Sequence, residues 1–252
     1  VPEITIHSPL VFVLLIVFIA TLIRSAFGFG EALVAVPLLS FCMPLRVAAP
    51  LAVLLSITIA AIVVVQDWNR IHLRSAGWLI ASSAAGIPLG VWLLSSSHQR
   101  LAKCGLGALI LLFSIYSLVD RNPPQLHTDR RAWLLGCGLA AGVLGGAYGM
   151  NGPPLVVYGS MRRWTAQHFR ATLQAYFLPA SVLGMAGYWI SGLWIPAVTH
   201  DYLFSLPAAV PAVFLGRAIN HRLSGGVFLK YIYAGLAVTG ALLLVEAMTG
   251  RV

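Results

Sequence analysis

Two stretches decide the fold: Ala26-Phe27-Gly28-Phe29-Gly30-Glu31 in the first half of the chain and Ala147-Tyr148-Gly149-Met150-Asn151-Gly152-Pro153-Pro154 in the second. Each interrupts a long apolar run with residues that stop a helix. Unwound backbone inside a bilayer leaves N–H and C=O groups that only protein, water or a bound solute can satisfy. Paired interruptions at corresponding places in two halves are the pattern expected where a membrane protein binds a solute between its halves.

The surroundings of the two breaks fix the compartment. Of 252 residues, 59% are hydrophobic and 9% charged, with a mean hydropathy of +0.88, so polar surface is too scarce to coat a soluble globule. Apolar runs fall at 9–23, 26–43, 47–65, 76–95, 104–119, 133–147, 153–161, 170–190, 202–219 and 227–248, and several reach the roughly 20 residues that a helical crossing requires. They recur along the whole chain, which does not fit a leader followed by a soluble domain. The net charge of +9 comes from Lys and Arg lying mostly between these runs. It orients the chain in the membrane and biases an internal cavity toward anions, and it gives no reason to expect nucleic acid as a partner. Cys42, Cys104 and Cys137 stand apart in apolar surroundings and the seven His show no ligand spacing, so neither disulfide, metal nor cofactor is expected.

The expected fold is an all-α polytopic membrane protein of two homologous halves, about four helices each, arranged as inverted repeats. Each half begins with a glycine-broken or re-entrant helical segment. Residues 1–120 form the first repeat, 121–132 the connecting loop and 133–252 the second repeat. Ala26-Phe27-Gly28 aligns with Ala147-Tyr148-Gly149, and Leu89-Gly90 with Leu215-Gly216. Ser8-Pro9 and Thr128-Asp129 read as helix starts. If each broken segment enters and leaves on one side or crosses twice, Arg70, Arg74, Arg121, Arg130, Arg131, Arg162, Arg163, Arg170, Arg217, Arg222 and Lys230 share one face. Arg46, Arg100, Lys103 and Arg251 then hold the other. That division satisfies the positive-inside rule with both termini outside.

The chemistry is expected where helices restart after each break, near Glu31 and at Pro153-Pro154. A helix start presents free N–H groups and the positive end of the macrodipole, which attract an anion. Gly28, Gly30, Gly149 and Gly152 permit close approach of backbone to a ligand. Tyr148 and Asn151 lie in the same stretch, and the Asn151 amide can donate and accept. For any one glycine, tight helix packing is an equal explanation. In His168-Phe169-Arg170-Ala171-Thr172-Leu173-Gln174-Ala175-Tyr176, Arg170 opens an apolar helix, Gln174 follows one turn on and Ser181 two turns deeper. An Arg there suits the oxygens of a carboxylate, sulfonate or phosphate; it could equally snorkel to headgroups. Arg24 and Glu31 bracket the first break, either as an ion pair or with Glu31 titrating to couple proton movement.

At these residues the chain resembles the sulfite exporter TauE/SafE family, also called the toluene sulfonate uptake permeases. Residues 145–158, from Gly145-Gly146 through Pro153-Pro154 to Tyr158, and Phe169-Arg170-Ala171-Thr172-Leu173 are similar to the family's glycine-rich break and following helix. Phe27-Gly28-Phe29-Gly30-Glu31 with Val36-Pro37-Leu38-Leu39 fits the corresponding first-half pattern without its longer glycine run. The resemblance implies alternating-access transport of a small sulfur-containing anion (sulfite, thiosulfate, sulfoacetate or another organosulfonate) across a bacterial cytoplasmic membrane. The partners expected are the small anion and the bilayer, with protons as a coupling ion if Glu31 titrates; small-residue helix faces leave a homodimer open. A passive anion channel is the alternative. An intramembrane enzyme fits less well, since no nucleophile elbow or paired acidic motif appears.

Overall fold

The computed structural model describes residues 10–68, 73–95, 99–119, 131–162 and 166–220, together with 237–238, 240–241 and 244–245. Among them are nine helices and no strand: α1 (Leu10–Phe27), α2 (Glu31–Leu39), α3 (Leu45–Asp67), α4 (Leu73–Ser95), α5 (Gln99–Val119), α6 (Arg131–Tyr148), α7 (Gly152–Met161), α8 (Ala166–Ile190) and α9 (Pro196–Asn220). Four of these contain stretches long and apolar enough to cross a membrane: Leu10–Phe27, Leu45–Gln66, Ala76–Ser95 and Pro196–Ile219. By contrast α2 has 9 residues and α7 has 10, about 14–15 Å of helix, half of a hydrocarbon core of about 30 Å.

Both interruptions are glycine caps. Gly28 (φ 86°) donates its N–H to the Arg24 carbonyl at 2.6 Å, and Gly149 (φ 69°) donates to the Gly145 carbonyl at 2.9 Å. Each is a left-handed residue closing the last turn of α1 or α6, a conformation that costs an L-residue with a side chain. A second left-handed residue, Gly30 (φ 102°), then starts α2 at Glu31, while α7 restarts at Gly152.

The expected breaks are present, with shifted boundaries elsewhere. Helix α1 runs on to Phe27 rather than stopping at 23. Helix α8 starts at Ala166, so Arg170 sits in its second turn instead of opening it. Helix α9 starts at Pro196, six residues before the expected 202. The polar run Thr199-His200-Asp201 makes that first turn read as loop, whereas proline is well suited to a first helical position. The starts expected at Ser8-Pro9 and Thr128-Asp129, residues 120–130 of the central interval and most of 227–248 lie outside the described residues. So do Arg70, Arg121, Arg130, Arg163, Arg222, Lys230 and Arg251.

Packing crosses between the halves. Helix α4 lies along α6, α9 lies along α1, and α3 packs on α8; α3 also touches α9, as α4 touches α8. Glycines make the crossings close, as small residues do where lipid offers no hydrophobic drive for association. A side-chain carbon on Gly90 would fall on the Val143 carbonyl and 2.6 Å from the Ala147 amide. On Gly216 it would lie 2.8 Å from the Leu22 carbonyl and 3.1 Å from the Ala26 amide. The aligned pair Gly90 and Gly216 therefore rests on the aligned pair Ala147 and Ala26, each in the opposite half. Leu51, Leu55 and Ile59 of α3 fill the centre, while Val65, Trp92 and Ile190 face outward, where lipid is their natural neighbour.

Candidate functional site

The centre of the molecule is organised around Arg24, one turn before the end of α1 and 3% exposed. Its guanidinium donates in five directions. Nη1 binds Oε2 of Glu31 and, at 2.7 Å, Oγ of Ser56; Nη2 binds Oε1 of Gln174 at 2.9 Å and the Ser56 carbonyl at 3.4 Å; Nε reaches Oε1 of Gln174 at 3.3 Å. An arginine has five N–H donors, so all are engaged. The Phe177 ring lies under the cation, its centroid 4.8 Å from Cζ, within cation–π range.

The partners arrive from different elements. Glu31 is the first residue of α2, Ser56 lies in α3, and Gln174 and Phe177 lie in α8. Gln174 joins the cation to the break, because its Nε2 donates to the Gly28 carbonyl at 2.7 Å while its oxygen receives Arg24. Ser56 in turn shares a hydrogen bond of 3.0 Å with Ser181. Arg24 and Glu31 form a buried ion pair. Removing either partner of such a pair typically costs about 3–5 kcal/mol, because a charge is stranded without compensation. The second carboxylate oxygen, Glu31 Oε1, is buried with no hydrogen-bond partner among the described residues.

The second break closes on the first. Asn151 donates from Nδ2 to the Tyr176 hydroxyl at 3.4 Å; Tyr176 shares a 2.6 Å bond with Ser83, which donates to the Gly138 carbonyl at 2.7 Å. Where α6 ends, the Met150 amide turns away to the Leu144 carbonyl. The Gly146 carbonyl instead accepts from the Tyr188 hydroxyl at 2.7 Å, which satisfies one of the acceptors a helix end exposes. Between the breaks lies a cavity of about 20 Å³, room for about one water molecule and too small for a polyatomic solute.

Of the residues singled out in the sequence, Arg24, Gly30, Glu31, Gly149, Asn151 and Gly152 line this cavity. Gln174, Ser181 and the Gly28 carbonyl form the layer behind it. Arg170 is buried but does not line the cavity: its Cα is 3.0 Å from where a side-chain carbon on Gly28 would stand, so it backs the first turn. Tyr148 points elsewhere, its hydroxyl 2.6 Å from where a side-chain carbon on Gly105 of α5 would be. Ser56, Phe177, Tyr176, Tyr188 and Ser83 were not singled out. Ser56 carried a usable signal, a hydroxyl in the middle of the apolar run 47–65; the tyrosines and Phe177 blend into aromatic-rich helices. No group of three or more His, Cys, Asp or Glu that could hold a metal occurs among the described residues.

The family model of the sulfite exporter TauE/SafE matches residues 13–244. A probable sulfite/organosulfonate exporter TauE from Cupriavidus necator is 25% identical over 187 residues, 74% of this chain and 72% of that protein. A probable membrane transporter protein YdhB from Bacillus subtilis is 27% identical over 147 residues, 55% of this chain and 57% of that protein. No solved structure matches.

Proposed function

The chain belongs to the sulfite exporter TauE/SafE family, and on that premise we propose that it is a secondary transporter of a small sulfur-containing anion. The substrate class is sulfite, thiosulfate, sulfoacetate or another organosulfonate, and the compartment is a bacterial cytoplasmic membrane. One observation carries this reading: both helix breaks, one from each half, meet at a single buried cavity beside Arg24. The N-terminal ends of α2 and α7 bring their positive dipole ends to the same place. Asn151 adds a side-chain donor, and Arg170 behind the Gly28 turn adds positive potential. An oxyanion is the ligand these donors suit. Sulfur is favoured by the similarity to the probable sulfite/organosulfonate exporter of C. necator.

Alternating access accounts for the small cavity, since a solute-sized site must open by moving one part against another. The crossed packing supports inverted repeats as the moving parts: Gly90 on Ala147 and Gly216 on Ala26 are related contacts, and Ser56 bonded to Ser181 joins the two halves at the centre. Glu31 is the group through which protons would couple, as the acidic residue lining the cavity.

Transport by purified protein in proteoliposomes tests the proposal, with thiosulfate, sulfite, sulfoacetate and acetate compared with and without a pH gradient. Saturable accumulation of a sulfur anion over acetate is expected. Equal or absent movement of all four would overturn it.

A further inference from the structure

The site as it stands is already occupied, by the protein's own carboxylate. All five Arg24 donors are taken, one of them by Glu31. Arg24 and Glu31 together carry no net charge, and the other cavity-lining side chains, Phe29, Ala32, Leu33, Ser56, Met150, Asn151 and Phe177, are uncharged. An anion entering this buried space would leave an uncompensated negative charge, which is strongly unfavourable away from water. It would also find no free donor on the guanidinium.

We propose that Glu31 is an internal stand-in for the transported oxyanion: the substrate takes over its place on Arg24, and the displaced carboxyl takes up one proton from the aqueous side from which the anion enters. This rests on the reading of the protein as an oxyanion transporter and adds how the site recognises and couples its ligand. Three features favour the exchange. Glu31 holds Arg24 through Oε2 alone, and its buried Oε1 has no partner among the described residues, so the carboxylate is only half satisfied where it sits. Its backbone follows Gly30, a left-handed glycine at the start of a short helix, where a small rotation re-aims the side chain. Once protonated, the carboxyl gains an O–H that can donate to the anion that replaced it.

The charge balance is then conserved at every stage. Empty, the cavity holds one cation and one carboxylate. Loaded with a monovalent anion, it holds one cation, the anion and a neutral acid. The groups around Glu31 leave it as the titrating partner: among the described residues Arg24 from α1 is the one charged neighbour lining the cavity, while α3 gives Ser56, α8 gives Gln174 and Phe177, and the second break gives Met150 and Asn151. Arg170 lies behind Gly28, and Tyr176 is turned to Ser83 and Asn151.

The decisive experiment is titration calorimetry of the full-length purified protein with toluenesulfonate and with methanesulfonate, monovalent anions whose charges do not change near neutral pH. Measurement in buffers of different ionisation enthalpy counts the protons taken up per anion bound. Wherever Glu31 is ionised in the empty protein, the expected result is about one proton per anion and an affinity that weakens about tenfold per pH unit as pH rises. Glu31→Gln is expected to bind with no proton uptake and a flat pH profile, because a neutral amide holds no charge against Arg24 and does not titrate. Anion binding to the wild type with no proton uptake and constant affinity overturns the exchange while leaving the transporter reading intact. An Glu31→Gln protein that keeps the wild-type pH slope also overturns it. Failure of both anions, and of sulfite, to bind at any pH overturns the transporter reading with it. If the variant does not fold, the wild-type proton count decides alone.

Discussion

Gly28→Ala is the sharpest test of the first break as a fixed part of the site. Gly28 has φ 86°, and an added Cβ would stand 3.0 Å from both Cα and Cβ of Arg170. The left-handed backbone alone costs an alanine about 1–2 kcal/mol. The close approach adds about 1–3 kcal/mol, because a backbone atom cannot rotate away. Together these predict a loss of about 2–5 kcal/mol, a fall in unfolding midpoint of about 4–20 °C for a chain of this size. The same displacement moves the Gly28 carbonyl that Gln174 holds at 2.7 Å, so transport should fall at least about tenfold in protein that still inserts. Gly184→Ala is the matched control. That glycine lies inside α8 with nothing within 4 Å of an added carbon, and the change should stabilise the helix by up to about 1 kcal/mol. Thermal unfolding in detergent and proteoliposome uptake read both variants. If Gly28→Ala melts and transports like Gly184→Ala, the break is not the packed left-handed turn described above.

Gln174→Leu removes the acceptor shared by two Arg24 nitrogens and the donor to Gly28; with buried polar groups left unpaired at about 1–3 kcal/mol each, it should lower both the unfolding midpoint and transport. Arg170→Ala removes the side chain that backs the Gly28 turn and should lower uptake or export in protein that still elutes as a folded species; unchanged transport would show that the turn does not depend on it. Tyr188→Phe deletes the hydroxyl bonded to the Gly146 carbonyl and should cost about 1–3 kcal/mol in unfolding experiments, with substrate affinity within about twofold of wild type because Tyr188 does not line the cavity. Residues 1–120 expressed alone should be degraded or aggregate, and co-expression with 121–252 should rescue them, as judged by co-purification; a stable first half alone would contradict the crossed packing.

The breaks were legible because glycine and proline act locally: glycine takes left-handed backbone without strain, as Gly28, Gly30 and Gly149 do, and a chain of apolar runs makes their position stand out. Arg24 and Glu31 were legible for a similar reason, as charges inside apolar sequence, although sequence left open whether they paired. What held Arg24 in place was not. Gln174 lies 150 residues from it, and nothing in the local pattern of α8 says that its oxygen faces α1. Arg170 drew attention as the nearer charge to Gln174, yet four residues along a helix turn about 40° and climb about 6 Å, enough to put Gln174 against Arg24 and Arg170 behind the Gly28 turn. Tyr148 lay within the break by sequence but closes the last turn of α6, which directs its ring toward Gly105 and away from the cavity.

The crossed arrangement explains why such a site tolerates its own cost. A left-handed turn, a buried ion pair and short half-helices are each unfavourable for an isolated half in lipid. The turn and the ion pair are covered from the opposite half, while α2 packs on α1 and α3 and α7 packs on α6 within their own halves. Helix α9 supports α1 through Gly216, α8 supplies Gln174 to the Gly28 carbonyl, and α4 supports α6 through Gly90. Those supports rest on glycine backbones and a few hydrogen bonds, beside the large side chains of α3 and α8 that fill the centre. Under the proposed exchange, an incoming anion alters this arrangement at Glu31 alone.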